Sequence, residues 1–152
     1  MANTFRMVRG DGQFVSLPGY ASDAIEVGDL LYWDATNDAV RPASTVSGVD
    51  YATKKGNLAD AFVGVAMEAK AAGESRNVLT ATAGDFQFVA PTGAGTDAEP
   101  LNYAAGGDGS AMADQTVVKT ASAGEAIGRV LAAKATTDAT VLVRILSKFN
   151  LA

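Results

Sequence analysis

The residues best suited to chemistry lie in the run Asp34-Ala35-Thr36-Asn37-Asp38, which is rich in the hard oxygen ligands that calcium prefers. A calcium loop of the EF-hand type also needs a glycine at its sharp turn and a later bidentate glutamate, and neither stands in register. Asp and Asn are also typical of tight turns, and this run lies between the apolar segments 30–33 and 39–41. We therefore predict a hairpin turn here and no metal site.

The patterns of known catalytic sites do not appear in the sequence. The chain has no His and no Cys, which excludes Cys/His zinc sites, thiol nucleophiles and Ser-His or Cys-His pairs. No glycine-rich run continues into Gly-Lys-Ser/Thr, and residues 93–98, which fit a looser Gly-x-Gly-x-x-Ala pattern, are followed by Glu99-Pro100 where a helix should continue. The 17 acidic residues could supply the carboxylate pair of a glycosidase, but nothing in the sequence pairs them. We predict that the protein is not an enzyme and binds no cofactor.

The charge pattern argues against nucleic acids and membranes as partners. Twelve basic residues against 17 acidic ones give a net charge of −5, and Lys54-Lys55 is the only adjacent basic pair, whereas nucleic-acid binding requires several convergent cations. No apolar run reaches the roughly 18 residues of a membrane span. Residues 1–6 lack the apolar segment of a secretion signal, so the sequence predicts synthesis in a cytoplasm.

Short apolar runs separated by turn-forming residues predict an all-β fold, either a β-sandwich or a β-barrel. In the clearest strand, Val141, Val143 and Ile145 share one face and should point into the core. Segments 42–60, 91–99 and 106–110 are poor in core-forming residues and are predicted to be loops. The alanine-rich stretches 66–72 and 132–139 are interpreted as a strand followed by a turn, with a single helical turn as the alternative. The predicted strands are 14–17, 29–33, 62–69, 78–82, 86–89, 115–119, 126–133 and 140–146.

A weak internal duplication organises the chain into one β domain, residues 25–152, with repeat-like halves at about 25–90 and 98–148. The run that begins at Phe62 recurs from Ala126, an offset of 64 residues, and the strand at Val78 recurs at Val141, an offset of 63. A looser correspondence relates residues 30–34 to 101–105. Two copies are too few for a solenoid but enough for a sandwich or a barrel.

Residues 1–24 lie outside the duplication and are predicted to form an N-terminal arm. The arm interleaves apolar and basic residues with Gly10 and Gly12, and its Arg9-Gly10-Asp11 tripeptide is interpreted as a turn. Such an arm could pair with the sheet edge of a partner, or it could be an edge strand of its own sheet. Its predicted contact residues are Phe5, Arg6, Met7, Arg9 and Phe14.

Tyr32-Trp33 contains the only tryptophan of the chain. In a strand, Leu31 and Trp33 share one face while Leu30 and Tyr32 share the other. The tryptophan is interpreted as a core residue, with an interface anchor as the alternative. Tyr32 and Trp33 therefore join the predicted contact residues.

Three motifs and a closing strand stand out along the chain. The motifs are Val27-Gly28-Asp29-Leu30-Leu31-Tyr32-Trp33-Asp34, Phe62-Val63-Gly64-Val65-Ala66 and Ala71-Ala72-Gly73-Glu74, and the closing strand is Val141-Leu142-Val143-Arg144-Ile145-Leu146. Together they resemble the capsid cement (head decoration) proteins of tailed bacteriophages. The similarity covers residues 25–90 and 120–146, and the chain departs from it by the insertion 42–60.

The resemblance implies a β-sandwich or β-barrel protein, often trimeric, that docks on the outside of an assembled capsid and bridges major capsid protein subunits. Its expected partners are the major capsid protein and further copies of itself, and its expected location is the capsid surface of the virion. The modest number of large apolar residues independently favours self-association. The alternative function is a carbohydrate-binding β-sandwich on a virion or cell surface, with Tyr32, Trp33 or Tyr103 contacting the sugar.

Overall fold

A computed structural model describes residues 6–89, 102–108, 111–120, 122–131 and 138–147. Within these residues nine strands form one hydrogen-bonded network, joined by a single α-helix and two short 3₁₀ turns, Ala43–Thr45 and Ala123–Glu125. The prediction of an all-β class is confirmed, and the choice between a sandwich and a barrel stays a prediction. The elements are β1 (Arg6–Pro18), β2 (Leu30–Asp34), β3 (Ala39–Pro42), α1 (Tyr51–Ala61), β4 (Phe62–Ala66), β5 (Asn77–Val89), β6 (Asn102–Asp108), β7 (Ala111–Thr120), β8 (Gly128–Val130) and β9 (Thr140–Leu146).

Five strands pair in a cycle that we call the first ring, in the order β1, β5, β4, β2 and β3. Each of these neighbouring pairs is antiparallel. The cycle closes after β1, where Gly19 bridges Val40 and the Tyr20 N–H donates to the Val40 carbonyl at 3.1 Å. All five strands contribute to a small core cluster, which is therefore the core of this ring. Its buried members are Leu17, Ile25, Leu31, Val40, Val63, Ala66 and Val78.

A second ring runs through β5, β7, β6, β8 and β9 and returns to β5. The β5–β7 contact is parallel, with Val89 opposite Thr116, and the other pairs are antiparallel. The larger core cluster draws on β5, β7, β8 and β9, and it includes the predicted core residues Val141, Val143 and Ile145. Helix α1 contributes Leu58 and Ala59 to the same cluster.

Strand β5 belongs to both rings. Residues 77–87 pair with β1, residues 80–81 pair with β4, and residues 83–89 pair with β9. The prediction of two separate strands, 78–82 and 86–89, was wrong because the small and polar residues between them resemble a turn. Their backbones pair with β9, and buried Asp85 accepts two hydrogen bonds from the Arg144 guanidinium, at 2.7 and 3.0 Å.

The two halves of the chain share one pairing order, β3-β2-β4-β5 and β7-β6-β8-β9. Ala66 lies opposite Thr80 on β5, and Val130 lies opposite Val143 on β9, so the sequence offsets of 64 and 63 residues recur in the register. A glycine stands at the same place in both copies. A Cβ at Gly64 would run into the Ala81 carbonyl oxygen, and one at Gly128 would lie 2.5 Å from the carbonyl oxygen of Arg144.

Two of the predicted loops were wrong in part. Segment 42–60 contains a 3₁₀ turn and most of α1, whose signal is weak because Gly56 interrupts it and few of its residues are buried. The Asp50 side chain caps this helix by accepting from the Thr53 N–H at 2.7 Å. Segment 106–108 belongs to β6, where Gly107 and Asp108 lie opposite Met112 and Ala111 of β7. The alanine-rich stretch after Phe62 is a strand and then a turn, as predicted, whereas 91–99 and 132–137 lie outside the described residues.

Candidate functional site

The first predicted contact segment forms the edge strand β1. Its backbone pairs with β5, with Arg6 opposite Gln87 and Arg9 opposite Asp85. In the part of the chain that the structure describes, β1 pairs with β5 along one edge and with no other strand. Met7 lies between these positions on β1, and Phe5 lies outside the described residues. The role of this strand in docking stays a prediction.

Residues 13–18 of β1 divide into a buried side and an exposed side. Val15 and Leu17 pack against the small core, which explains why this part of the strand stays on β5. Phe14 lies opposite Ala81 and is 50% exposed. We call the exposed residues Gln13, Phe14, Ser16 and Pro18, together with the open strand edge, the β1 surface.

Tyr32 and Trp33 lie on opposite faces of β2, as the alternation predicted. Tyr32 is buried in the large core, and its hydroxyl is 3.1 Å from the Thr45 hydroxyl. Burial raises the pKa of the Tyr32 phenol. Trp33 is partly buried against the small core, opposite Val40. Tyr32 is therefore not presented on the surface of this chain, and Trp33 is presented only in part.

The run that begins at Asp34 is the turn of the β2–β3 hairpin, as predicted. The Asp34 carboxylate accepts from the Thr36 N–H at 2.9 Å and from the Asn37 amide at 2.6 Å. The hydrogen bond from Asn37 is the main reason why the pKa of Asp34 is lowered. Asp38 adopts the left-handed conformation, with φ of 52°, which Asp tolerates better than most residues. Among the described residues, no group of three or more acidic side chains is arranged to hold a metal ion.

Arg41 ties the exit of β1 to this hairpin, a role that sequence reasoning missed. Its guanidinium donates to Asp23 at 2.7 Å and to Asp34 at 3.1 Å, and it lies 4.5 Å from the centre of the Tyr20 ring. These contacts fix the segment that closes the first ring. No sequence motif marks Arg41, because its partners are separated along the chain and meet only when the ring closes.

Two carboxylates, those of buried Asp29 and partly buried Asp114, connect β7 with the first half of the chain. Asp114 accepts from the Ser44 N–H at 2.6 Å and from the Ser44 hydroxyl at 2.9 Å. Asp29 accepts from the Gln115 amide at 2.9 Å and from the Glu26 N–H at 2.8 Å. Burial is the largest cause of the raised pKa of both Asp29 and Asp114. Because each carboxylate accepts hydrogen bonds from these donors, we infer that the two carboxylates stabilise the fold.

Three large apolar side chains are exposed among the described residues, those of Phe14, Val49 and Val89. Of these three residues, Phe14 lies on β1, and no strand of the described residues pairs with the outer edge of β1. No helix among the described residues is long and apolar enough to cross a membrane.

Comparison with known proteins identifies the kind of partner. A family model described as phage cement protein matches residues 5–82, which is 78 of the 152 residues. The chain therefore belongs to the phage cement protein family and is a structural protein of a phage capsid. No curated protein and no solved structure gives a significant match.

Proposed function

We propose that the protein binds the outer surface of an assembled phage capsid and stabilises the shell by bridging neighbouring major capsid protein subunits. The observation that carries this proposal is the family match, because cement proteins bind capsids. The protein is made in the cytoplasm of the host and acts on the virion. It catalyses no reaction, and neither a nucleic acid nor a membrane is its partner.

The β1 surface supports the binding step of this proposal. The outer edge of β1, with which no strand of the described residues pairs, can accept an extended segment of the capsid by main-chain hydrogen bonding, and Phe14 supplies an apolar contact beside that edge. Arg6, Met7 and Arg9 belong to the same strand, and Phe5 precedes it. Trp33 is a further proposed contact because it is partly exposed, whereas Tyr32 is buried and supports the fold.

Bridging is a problem of multivalency. A single β1 surface is small, so one copy should bind weakly. A homotrimer that contacts several capsid subunits binds more tightly, because each further contact forms at a high effective concentration. We therefore propose a homotrimer as the bridging unit, which light scattering of the free protein and of protein released from capsids would detect.

The carbohydrate-binding alternative receives no support from the site. Such modules present aromatic rings on the surface, but Tyr32 is 7% exposed and its hydroxyl is hydrogen-bonded inside the fold. Loss of glycan binding on substitution of Trp33 would be required to revive this alternative.

The test is to mix the purified protein with expanded capsids that lack it and to measure co-sedimentation and the thermal stability of the shell. We expect saturable binding and a higher temperature of shell disruption. The variant Phe14→Ser should weaken binding, whereas Val49→Ser should not, although Val49 is 92% exposed. Absence of saturable binding by the unmodified protein would contradict the proposed function.

A further inference from the structure

The family match ends within β5, the strand that the two rings share. Residues 5–82 contain β1, β2, β3 and β4 and the part of β5 that pairs with β4. The next residue, Ala83, is the first residue of β5 that pairs with β9, and residues 83–87 also continue the pairing with β1. The matched segment thus includes four strands of the first ring and the start of the fifth, and none of β6 to β9.

From this coincidence we infer that the first ring carries the capsid contact and that the second ring remains uncovered on the capsid. The inference rests on the proposed function and adds the location of the docking surface. A property common to a family must be encoded in the residues that the family shares, and here those residues build the first ring. The ring has its own core cluster, so it presents a defined surface.

The strand edges of the two rings point to the same assignment. In the described part of the second ring, every strand has a neighbour on each side, because the pairings run in a cycle from β5 through β7, β6, β8 and β9. Among the described residues, the first ring closes through the bridge between Gly19 and Val40, and no strand pairs with the outer edge of β1. A partner strand can therefore add to the first ring, and the capsid surface is the partner that the family match supplies.

The exposed side chains on β1 strengthen this assignment. Phe14 is half-exposed next to the open edge, and Ser16 is exposed on the same strand. On the second ring, exposed positions include Ser122, before a 3₁₀ turn, and Ala139, just before β9. These residues give reporters on both rings that do not belong to either core.

The absence of cysteine from the chain makes single-cysteine variants clean reporters of contact. We would prepare Ser16→Cys on the first ring and Ser122→Cys and Ala139→Cys on the second. Each variant would react with a polyethylene-glycol maleimide, free and bound to expanded capsids at about ten times the dissociation constant. Capsid binding should slow the reaction of Ser16→Cys about tenfold, since only the unbound fraction stays accessible, and should leave the other two variants unchanged.

The outcomes separate this inference from the proposed function. If the unmodified protein does not bind capsids, the proposed function fails and the inference fails with it. If it binds, but Ser16→Cys stays reactive or either second-ring variant becomes protected, the location inferred here is wrong while the function stands. Circular dichroism of each variant before the reaction confirms that the fold is retained.

Discussion

Replacement of the buried Lys70 tests how the first ring is closed. Lys70 is 2% exposed, and its backbone forms a two-way bridge with Ile25 at 2.8 Å in each direction. Its ammonium, which has three N–H donors, lies within hydrogen-bonding distance of four main-chain carbonyls, those of Ala21 at 3.3 Å, Asp23 at 2.7 Å, Ala71 at 3.1 Å and Glu74 at 3.1 Å. One side chain thus holds the segment after β1 against the turn between β4 and β5.

The magnitude follows from what each carbonyl keeps in the variant Lys70→Met. Two of the four carbonyls also accept from a backbone N–H, that of Gly73 or that of Glu74, and retain this bond. The Asp23 and Glu74 carbonyls lose the Lys70 ammonium as a donor. Glu74 lies in an exposed turn, so water can donate to its carbonyl instead. The uncompensated change is the loss of the charge-assisted hydrogen bond from Lys70 to the Asp23 carbonyl. The free energy of unfolding should therefore fall by about 2–3 kcal/mol.

The assay is urea denaturation followed by the fluorescence of Trp33, the only tryptophan, which packs against the core of the first ring. Lys54→Met on α1 is the matched control, because Lys54 is only partly buried, and it should change the free energy of unfolding by no more than about 0.5 kcal/mol. A Lys70→Met variant as stable as the control would refute the reasoning.

Three further predictions concern stability. Gly64→Ala should lower the free energy of unfolding by more than about 2 kcal/mol, because the added methyl meets a carbonyl oxygen of β5. Gly56→Ala lies in open space within α1 and should raise the free energy of unfolding by about 0.5–1 kcal/mol. The midpoints of urea denaturation measure both changes. Burial raises the pKa of Asp114, so the folded protein binds this proton more tightly than the unfolded chain does, and stability should rise as the pH falls from neutral toward the ordinary carboxyl pKa. Asp114→Asn should reduce this rise in urea titrations at about pH 7 and about pH 5. Arg144→Ala should lower the melting temperature, because the buried carboxylate of Asp85 loses two hydrogen bonds. The control is Arg129→Ala, at an exposed position opposite Arg144 on β8. Equal melting temperatures for the two variants would contradict this prediction.

The elements that were predicted correctly are those whose local pattern coincides with their environment. The alternation in β9 placed Val141, Val143 and Ile145 in the core, and the Asp34 run formed its hairpin turn, because both signals act over a few neighbouring residues. Helix α1 was missed because tertiary contacts at Leu58 and Ala59, rather than its own propensity, stabilise it. The centre of β5 was missed because its pairing partners lie about 60 residues further along the chain.

The candidate site divides in the same way. The sequence predicted contact residues in the segment that forms β1, and their role stays a prediction; the exposure of Phe14 follows from its place on the outer side of that strand. Tyr32 was included because a Tyr-Trp pair resembles an interface anchor. The larger core cluster covers the face of β2 that carries Tyr32. An alternation pattern could not predict this, because alternation separates the two faces of a strand but does not say which face meets water.

By itself, the sequence determined the class of the protein: all-β, without the residues for common catalysis, and with motifs that resemble those of cement proteins. These properties depend on composition and on short-range periodicity, which the chain has before it folds. Only the tertiary structure decided that the strands form two rings that share β5, and that Arg41 and Lys70 stabilise the closure of the first ring. It also decided that, among the described residues, β1 pairs along one edge only. The physical reason is that strand pairing and buried charge depend on residues distant in sequence, whose contacts exist only once the chain has closed on itself.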